Sequence, residues 1–267
     1  ALQPILIFSM LFISFCKIKP SELRFVPWQW KLLCIQGGLF LAMGSVLALM
    51  PEAEWRILLE AAMLCFICPT ATAAIVVTGK LGGNTGSLTM FTIMGNLSTA
   101  LLVPLMIPVI RPQGDAHFID NFLQIAGRVF PLLFCPFILA MFMQRICPKL
   151  VERIARIKDV AFYLWAVALA IAMAITTKSL MHSPYPVYYE ISIAGISLLA
   201  CAAQFAIGRT LGKKYDEPLS AGQGTGQKNT IFAIWMSYTF LTPVTSLAGG
   251  FYSVWHNIYN SYQLYQK

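Results

Sequence analysis

A polar stretch with ligand-bearing side chains interrupts an apolar part of this 267-residue chain. Residues 221–230 include three glycines, two glutamines, a lysine and an asparagine, and a short apolar run, 231–241, follows them. Amide oxygens can hold a cation and an ammonium can bind a carboxylate. Irregular polar backbone persists at membrane depth only where it is buried in protein or lines a water-filled cavity. The interrupted segment therefore predicts the binding site of a transporter.

A second interrupted segment occupies the corresponding place in the first half of the chain. The sequence Cys-Pro-Thr-Ala-Thr at 68–72 follows the apolar run 55–66 and precedes the short apolar run 73–77. Each apolar piece is shorter than the roughly 20 residues that a spanning helix needs. Two broken segments in matching halves are typical of transporters built from inverted repeats.

The composition indicates a membrane protein. Hydrophobic residues make up 58% of the chain and charged residues 11%, whereas soluble domains carry about 25% charged residues. The lipid bilayer is therefore an expected partner. The seven cysteines lie in or beside apolar runs, which favours buried small side chains over metal ligands or disulfides.

The apolar runs predict an all-α polytopic protein with about nine transmembrane helices, two of them broken. They lie at 1–16, 28–50, 55–68 with 73–82, 85–110, 121–146, 159–180, 187–211, 218–229 with 230–241, and 243–265. Because the first residue is Ala1, already inside an apolar run, two alternatives stay open: nine helices, or a further initial helix that precedes this sequence.

The basic residues predict the orientation of these helices. If the spans alternate in direction, fourteen lysines and arginines fall on one side, and only Arg56, Arg111 and Lys178 fall on the other. The positive-inside rule then places the first residue outside and the C-terminus in the cytoplasm. The net charge of +8 reflects this loop asymmetry, so we expect no nucleic-acid partner.

The two halves match in layout and opposite orientation. In each, a long helix precedes the broken segment and another helix follows it, which predicts inverted repeats at 1–111 and 112–267. The helices of 28–111 and 187–267 would form one domain around the breaks. The remaining helices, in 1–16 and 121–180, would form a second, supporting domain.

Three motifs resemble the bile acid:sodium symporter family, and the resemblance covers essentially the whole chain. Residues Cys68–Ala73 look like its Cys-Pro-Gly-Gly-Thr-Ala crossing, and Gly226–Thr230 looks like its Gly-Met-Gln-Asn-Ser stretch. The sequence Ser-Val-Trp-His-Asn at 253–257 is similar to that of the family's last helix. The resemblance implies a core domain with two crossing broken helices and a panel domain that moves against it.

The resemblance also implies sodium as a coupling ion, with no other cofactor. Gln223 falls where the family has a glutamate shared by two sodium sites, while Gln227 and Thr92 match sodium-ligating residues. Ala74 and Ile75 replace a Ser-Asn pair that supplies two further ligands. We therefore expect that the first sodium site is lost and that sodium coupling is weakened or absent. The second site, partly formed by backbone, is neither predicted nor excluded.

The substrate is expected to meet side chains from both breaks and the last helix: Thr70, Thr72, Lys228, Asn229, His256 and Asn257. An ammonium at mid-membrane is costly and usually functional. The alternatives for Lys228 are an ion pair with Glu60 or an extended conformation that reaches an aqueous edge. For His256, a hydrogen-bonded position in the protein core is the alternative to a functional role.

These features predict a secondary transporter of an organic anion, either bile-acid-like or a smaller carboxylate, that works by alternating access. We expect a monomer or weak dimer in the plasma membrane, or in the inner membrane of a bacterium. An intramembrane enzyme is not favoured, because the predicted spans hold no His-Glu-x-x-His motif and no paired aspartates. A non-transporting receptor or scaffold on the same fold stays open as an alternative.

Overall fold

The protein folds as a bundle of helices. The computed structural model describes residues 2–112, 117–156 and 160–267, and every regular element within them is helical. A 3-10 turn spans Pro20–Glu22, and the α-helices are α1 Leu2–Cys16, α2 Trp28–Leu49, α3 Arg56–Ile67, α4 Ala73–Leu81, α5 Thr85–Ile110, α6 Phe118–Leu133, α7 Cys135–Ile146, α8 Pro148–Arg156, α9 Val160–Met181, α10 Val187–Lys213, α11 Pro218–Gly226, α12 Thr230–Phe240 and α13 Ser246–Tyr265.

The helices lie where the apolar runs predict them, with two differences. The prediction of one helix over 121–146 is wrong, because the chain bends by 42° between α6 and α7. Pro136 lies in the first turn of α7, where it has no N–H to donate and its ring crowds the carbonyl four residues earlier. The second difference is α8, a short charged helix that the apolar runs do not predict.

Within the described residues, four helices are long and apolar enough to cross a membrane. They are Trp28–Leu49, Thr85–Ile110, Tyr163–Met181 and Val187–Lys213, and the bent pair α6–α7 gives a fifth if it forms one span. By the same test of the described residues, α1 and α12 are apolar but short. The expected count of nine spans therefore remains a prediction.

Each interrupted pair of helices packs between long helices. The first pair, α3 and α4, packs on α2 and α5, and the second pair, α11 and α12, packs on α10 and α13. The two sets interleave, since α3 also contacts α10 and α11 also contacts α5. Outside them, α1 packs on α6, α7, α8 and α9, and both α1 and α9 contact α12.

The close contact between α10 and α11 depends on glycine. A Cβ atom on Gly212 would lie 2.6 Å from the carbonyl oxygen of Glu217, and one on Gly208 would lie 2.5 Å from that of Ala221. Small residues four positions apart let helix backbones approach closely in membrane proteins. This approach brings α11 into the bundle, where Ser220–Gly226 are all buried.

Candidate functional site

Both breaks follow from local sequence. Pro69 cannot continue a helix, and Cys68 before it is extended, with φ −55° and ψ 130°. In the second half, Gln227 leaves the helical region after a glycine-rich turn, with φ −91° and ψ 94°. The side chain of Asn229 then caps α12 by accepting a hydrogen bond of 3.2 Å from the backbone N–H of Phe232.

The two breaks pair with each other inside the bundle. Thr70 and Lys228 form an isolated antiparallel β-bridge. Two backbone hydrogen bonds of 2.8 Å hold it, from Ala71 N to Gln227 O and from Asn229 N to Pro69 O. Non-helical backbone in a membrane protein must be satisfied internally. The predicted proximity of 70–72 and 223–229 is therefore confirmed.

Side chains of the first break also donate hydrogen bonds to the backbone of the second break. The Thr70 hydroxyl donates a hydrogen bond of 2.6 Å to the carbonyl of Gly224, and the Cys68 thiol donates one of 2.9 Å to that of Asn229. Both residues are buried. Their polar atoms are thus used to hold the crossing together.

The carbonyl groups left free at the ends of α3 and α11 are satisfied by three residues that the sequence analysis missed. The bonds run from Gln204 Nε2 to Cys65 O (3.1 Å), from Tyr252 OH to Gly226 O (2.9 Å) and from Thr99 Oγ1 to Ile67 O (2.8 Å). The role of Gln204 could have been predicted, because a buried amide within a long apolar helix needs a hydrogen-bond partner.

Lys228 is buried at the crossing, with 2% of its surface exposed. Its ammonium donates a hydrogen bond of 3.3 Å to the carbonyl of Phe66, in the last turn of α3. The C-terminal end of a helix carries partial negative charge, which favours a cation there. Among the described residues no carboxylate lies within 4.0 Å of this ammonium.

The alternative that Lys228 pairs with Glu60 is wrong. Glu60 is fully buried, and its Oε1 accepts hydrogen bonds from Arg56 Nε at 3.0 Å and from Arg111 Nε at 2.9 Å. Its Oε2 accepts another from the Thr245 hydroxyl at 3.2 Å. The carboxylate thus belongs to a separate charged cluster near the start of α3. The other alternative, an extended Lys228 reaching water, conflicts with its burial.

A small cavity of about 40 Å³ lies beside the crossing, and we call it the crossing cavity. The N-terminal ends of α4 and α12 both line it, through residues 71–73 and 229–231. Five of the six expected substrate residues are among its lining residues, together with one expected sodium ligand: Thr72, Lys228, Asn229, His256 and Asn257, with Gln227. Thr70 lies elsewhere, in a separate pocket with Gln36 and Thr99.

A larger cavity of about 590 Å³, which we call the vestibule, adjoins the crossing cavity. Four residues line both: Met10, Thr72, Ala73 and Trp165. The vestibule extends between α1, α4, α5 and α9 to Lys17 and Glu22, and most of its lining side chains are apolar. Its volume lies within the range of about 300–1,000 Å³ that is usual for ligand pockets.

The expected sodium ligands have the following surroundings. Gln223 donates from Nε2 to Asn260 Oδ1 at 2.9 Å, and the Thr92 hydroxyl donates to the carbonyl of Leu88, one turn earlier, at 3.0 Å. Gln227 is buried, and its Oε1 has no hydrogen-bond partner among the described residues. The tertiary structure thus engages the amide nitrogen of Gln223, while the buried amide oxygens of both Gln223 and Gln227 have no hydrogen-bond partner among the described residues.

The last helix contributes two of the expected residues. His256 is buried, its ring lies edge-on to Tyr252 with centroids 5.8 Å apart, and its Nδ1 has no partner within the described part of the chain. Asn257 donates from Nδ2 to the carbonyl of Ser253 at 2.8 Å. The Nδ1 atom of His256 thus lacks the partner that the alternative, a hydrogen-bonded core histidine, would give it, and the choice between that alternative and a functional role stays open.

Comparison with known protein families agrees with this architecture. The model of the SBF-like CPA transporter family matches residues 1–264. A comparison with curated proteins gave no significant match. The resemblance to bile acid:sodium symporters is thereby confirmed at the level of the family. This protein belongs to the SBF-like CPA transporter family.

Proposed function

We propose that this protein is a secondary transporter that binds an organic carboxylate in the crossing cavity and works by alternating access. The observation that carries the proposal is the convergence of two half-helix N-termini, those of α4 and α12, on that cavity. The N-terminal end of a helix offers free N–H groups and partial positive charge, which together favour an anion. His256 and Asn257 line the same cavity and add side chains able to donate hydrogen bonds.

The vestibule supports an amphipathic substrate. Its lining is largely apolar, while the adjoining crossing cavity is lined by amide, hydroxyl and imidazole groups. A carboxylate in the crossing cavity would leave the apolar body of the substrate in the vestibule. We therefore favour a carboxylate with a sizeable apolar body, of which a bile-acid-like molecule is one example. By the positive-inside rule the vestibule opens towards the cytoplasm.

We further propose that the ammonium of Lys228 supplies the fixed positive charge that a sodium ion would otherwise provide. It is buried and donates to the Phe66 carbonyl, at the negative end of α3. Gln223 lacks the charge of a carboxylate, although its amide oxygen is unpaired among the described residues. Ala74 and Ile75 offer no side-chain oxygen. Transport would then depend weakly on sodium, or not at all.

The proposed architecture comprises nine spans in inverted repeats, 1–111 and 112–267. The core would comprise the helices of 28–111 and 187–267, and the panel those of 1–16 and 121–180. The matching contacts of α2 with α5 and of α10 with α13 support this division. We place the protein in the plasma membrane, or a bacterial inner membrane, as a monomer or weak dimer with a cytoplasmic C-terminus.

Uptake into proteoliposomes tests the proposed function. Purified protein would be reconstituted and offered radiolabelled carboxylates that share a carboxylate but differ in apolar volume, under a sodium gradient, a proton gradient or neither. We expect saturable uptake of at least one amphipathic carboxylate without a sodium requirement. If folded protein neither transports these anions nor is thermally stabilised by any of them, the receptor or scaffold alternative is favoured instead.

A further inference from the structure

Helix α8 separates apolar from charged residues more sharply than its neighbours do. At 100° per residue, its charged side chains fall within one half of the helical wheel and its apolar ones within the other. The charged face carries Lys149, Glu152, Arg153 and Arg156, and the apolar face carries Leu150, Val151, Ile154 and Ala155. The transport site uses none of these residues, so their arrangement needs another explanation.

The apolar face of α8 is only partly covered by protein. Val151 is 5% exposed and packs in the core, in a helix that contacts α1 and α7. Leu150 is 47% exposed and continues a row of exposed apolar residues on α7, formed by Phe142 (61%) and Ile146 (60%). Phe142 and Ile146 lie one turn apart on α7, and Leu150 follows them in α8, beyond the non-helical Cys147.

Cations without protein partners accompany this row. Arg145, Lys149 and Arg153 are exposed, and no carboxylate within the described ranges lies within 4.0 Å of them. Among the described residues, one ion pair involves α8, and it joins Glu152 to Arg156 at 3.5 Å with both side chains largely exposed. Within that part of the chain, the surface therefore combines cations that lack a carboxylate partner with exposed apolar side chains.

We propose that α8 lies in the plane of the membrane interface and binds the phosphate headgroups of anionic lipids through Arg145, Lys149 and Arg153. A lipid supplies both missing partners, because its phosphate meets the cations and its acyl chains cover Phe142, Ile146 and Leu150. Amphipathic helices with basic polar faces bind anionic membranes in this way. The positive-inside rule places this end of α7 on the cytoplasmic side, where anionic lipids attract basic segments.

Lipid titration of the purified full chain in mild detergent, followed by native mass spectrometry, tests this proposal. The probes are phosphatidylglycerol and phosphatidylcholine with identical acyl chains. We expect R145Q/K149Q/R153Q to lose phosphatidylglycerol affinity by roughly fivefold for each cation removed. The matched control K80Q/K213Q/K214Q removes three other exposed cations from the same predicted side and should bind as the unmodified protein does. The charge-preserving variant R145K/K149R/R153K should retain most of the affinity.

Several outcomes would overturn the proposal. Equal losses in both triple glutamine variants would mean that net charge, and not this surface, attracts the lipid. Equal affinity for phosphatidylcholine and phosphatidylglycerol would show that the three cations do not select anionic lipids. Competition by soluble glycerol phosphate at the concentration of the lipid would indicate a site for a free anion. Because all substituted side chains are exposed, an unchanged melting temperature would show that the variants are folded.

Discussion

The ammonium of Lys228 and the backbone carbonyl of Phe66 lie 3.3 Å apart, at the point where the two broken helices cross. A lysine from the second break thus neutralises the negative end of the first broken helix. This contact joins the two halves of the chain and brings the ammonium into the protein interior.

Replacing Lys228 with methionine tests this role. Methionine keeps much of the apolar stem but removes the charge and the hydrogen bond to Phe66. We expect carboxylate uptake to be lost while the melting temperature stays close to that of the unmodified protein, because the cost of burying a charge disappears with the bond. Lys214→Met, at an exposed position, serves as the control. Normal uptake by Lys228→Met would refute a role of the ammonium in transport.

The dependence on sodium follows from the same arrangement. A ligand that binds only the folded protein stabilises that protein, and the stabilisation grows with the logarithm of the ligand concentration. Because Gln223 carries no negative charge and Ala74 and Ile75 offer no side-chain oxygen, we expect equal melting temperatures in sodium chloride and in N-methylglucamine chloride at matched ionic strength. Uptake that requires a sodium gradient, with two ions moved per substrate, would contradict this expectation.

Two buried threonines allow a matched test of the crossing. The Thr70 hydroxyl binds the Gly224 carbonyl, whereas the equally buried Thr78 hydroxyl has no partner among the described residues. Thr70→Val should lower the free energy of unfolding by about 1–3 kcal/mol, because a buried carbonyl loses its donor. Thr78→Val should leave it unchanged or raise it. Reversible unfolding in mixed micelles measures both, and equal effects would show that the Thr70 bond does not hold the crossing.

The cluster around Glu60 predicts a large effect on stability. Glu60→Gln would leave the buried guanidinium of Arg56 and the partly buried one of Arg111 without their counter-ion. Breaking a buried ion pair from one side costs about 3–5 kcal/mol. Glu152→Gln removes an exposed partner of Arg156 and should cost less than about 1 kcal/mol in the same unfolding assay. Similar costs for both variants would mean that the Glu60 cluster is not a stabilising element.

Much of the fold could be predicted from local sequence. Apolar runs marked the helices, and Pro69 and the glycines of 222–226 marked the two breaks, because backbone geometry and hydrophobic periodicity depend on residues within a few positions of each other. The bend between α6 and α7 was not predicted although Pro131 and Pro136 are visible in the sequence, because apolar residues continue on both sides of them.

The partners of buried polar groups could not be predicted in this way. Glu60 and Lys228 both lie in broken segments, and sequence alone allowed them to pair, yet Glu60 binds Arg56 and Arg111 while Lys228 binds a carbonyl. Hydrogen bonds act over about 3 Å, so they depend on how distant segments are packed.

The sequence by itself therefore determined the class of protein, most of its helices and the position of its two breaks, because burial in a membrane restricts composition and backbone. The tertiary structure alone decided that Gln204 and Tyr252 satisfy the ends of the broken helices. It also decided that Thr72, His256 and Asn257 line one cavity while Thr70 lies elsewhere. Those relationships join residues far apart in the chain, and only the packing of the helices brings them within contact distance.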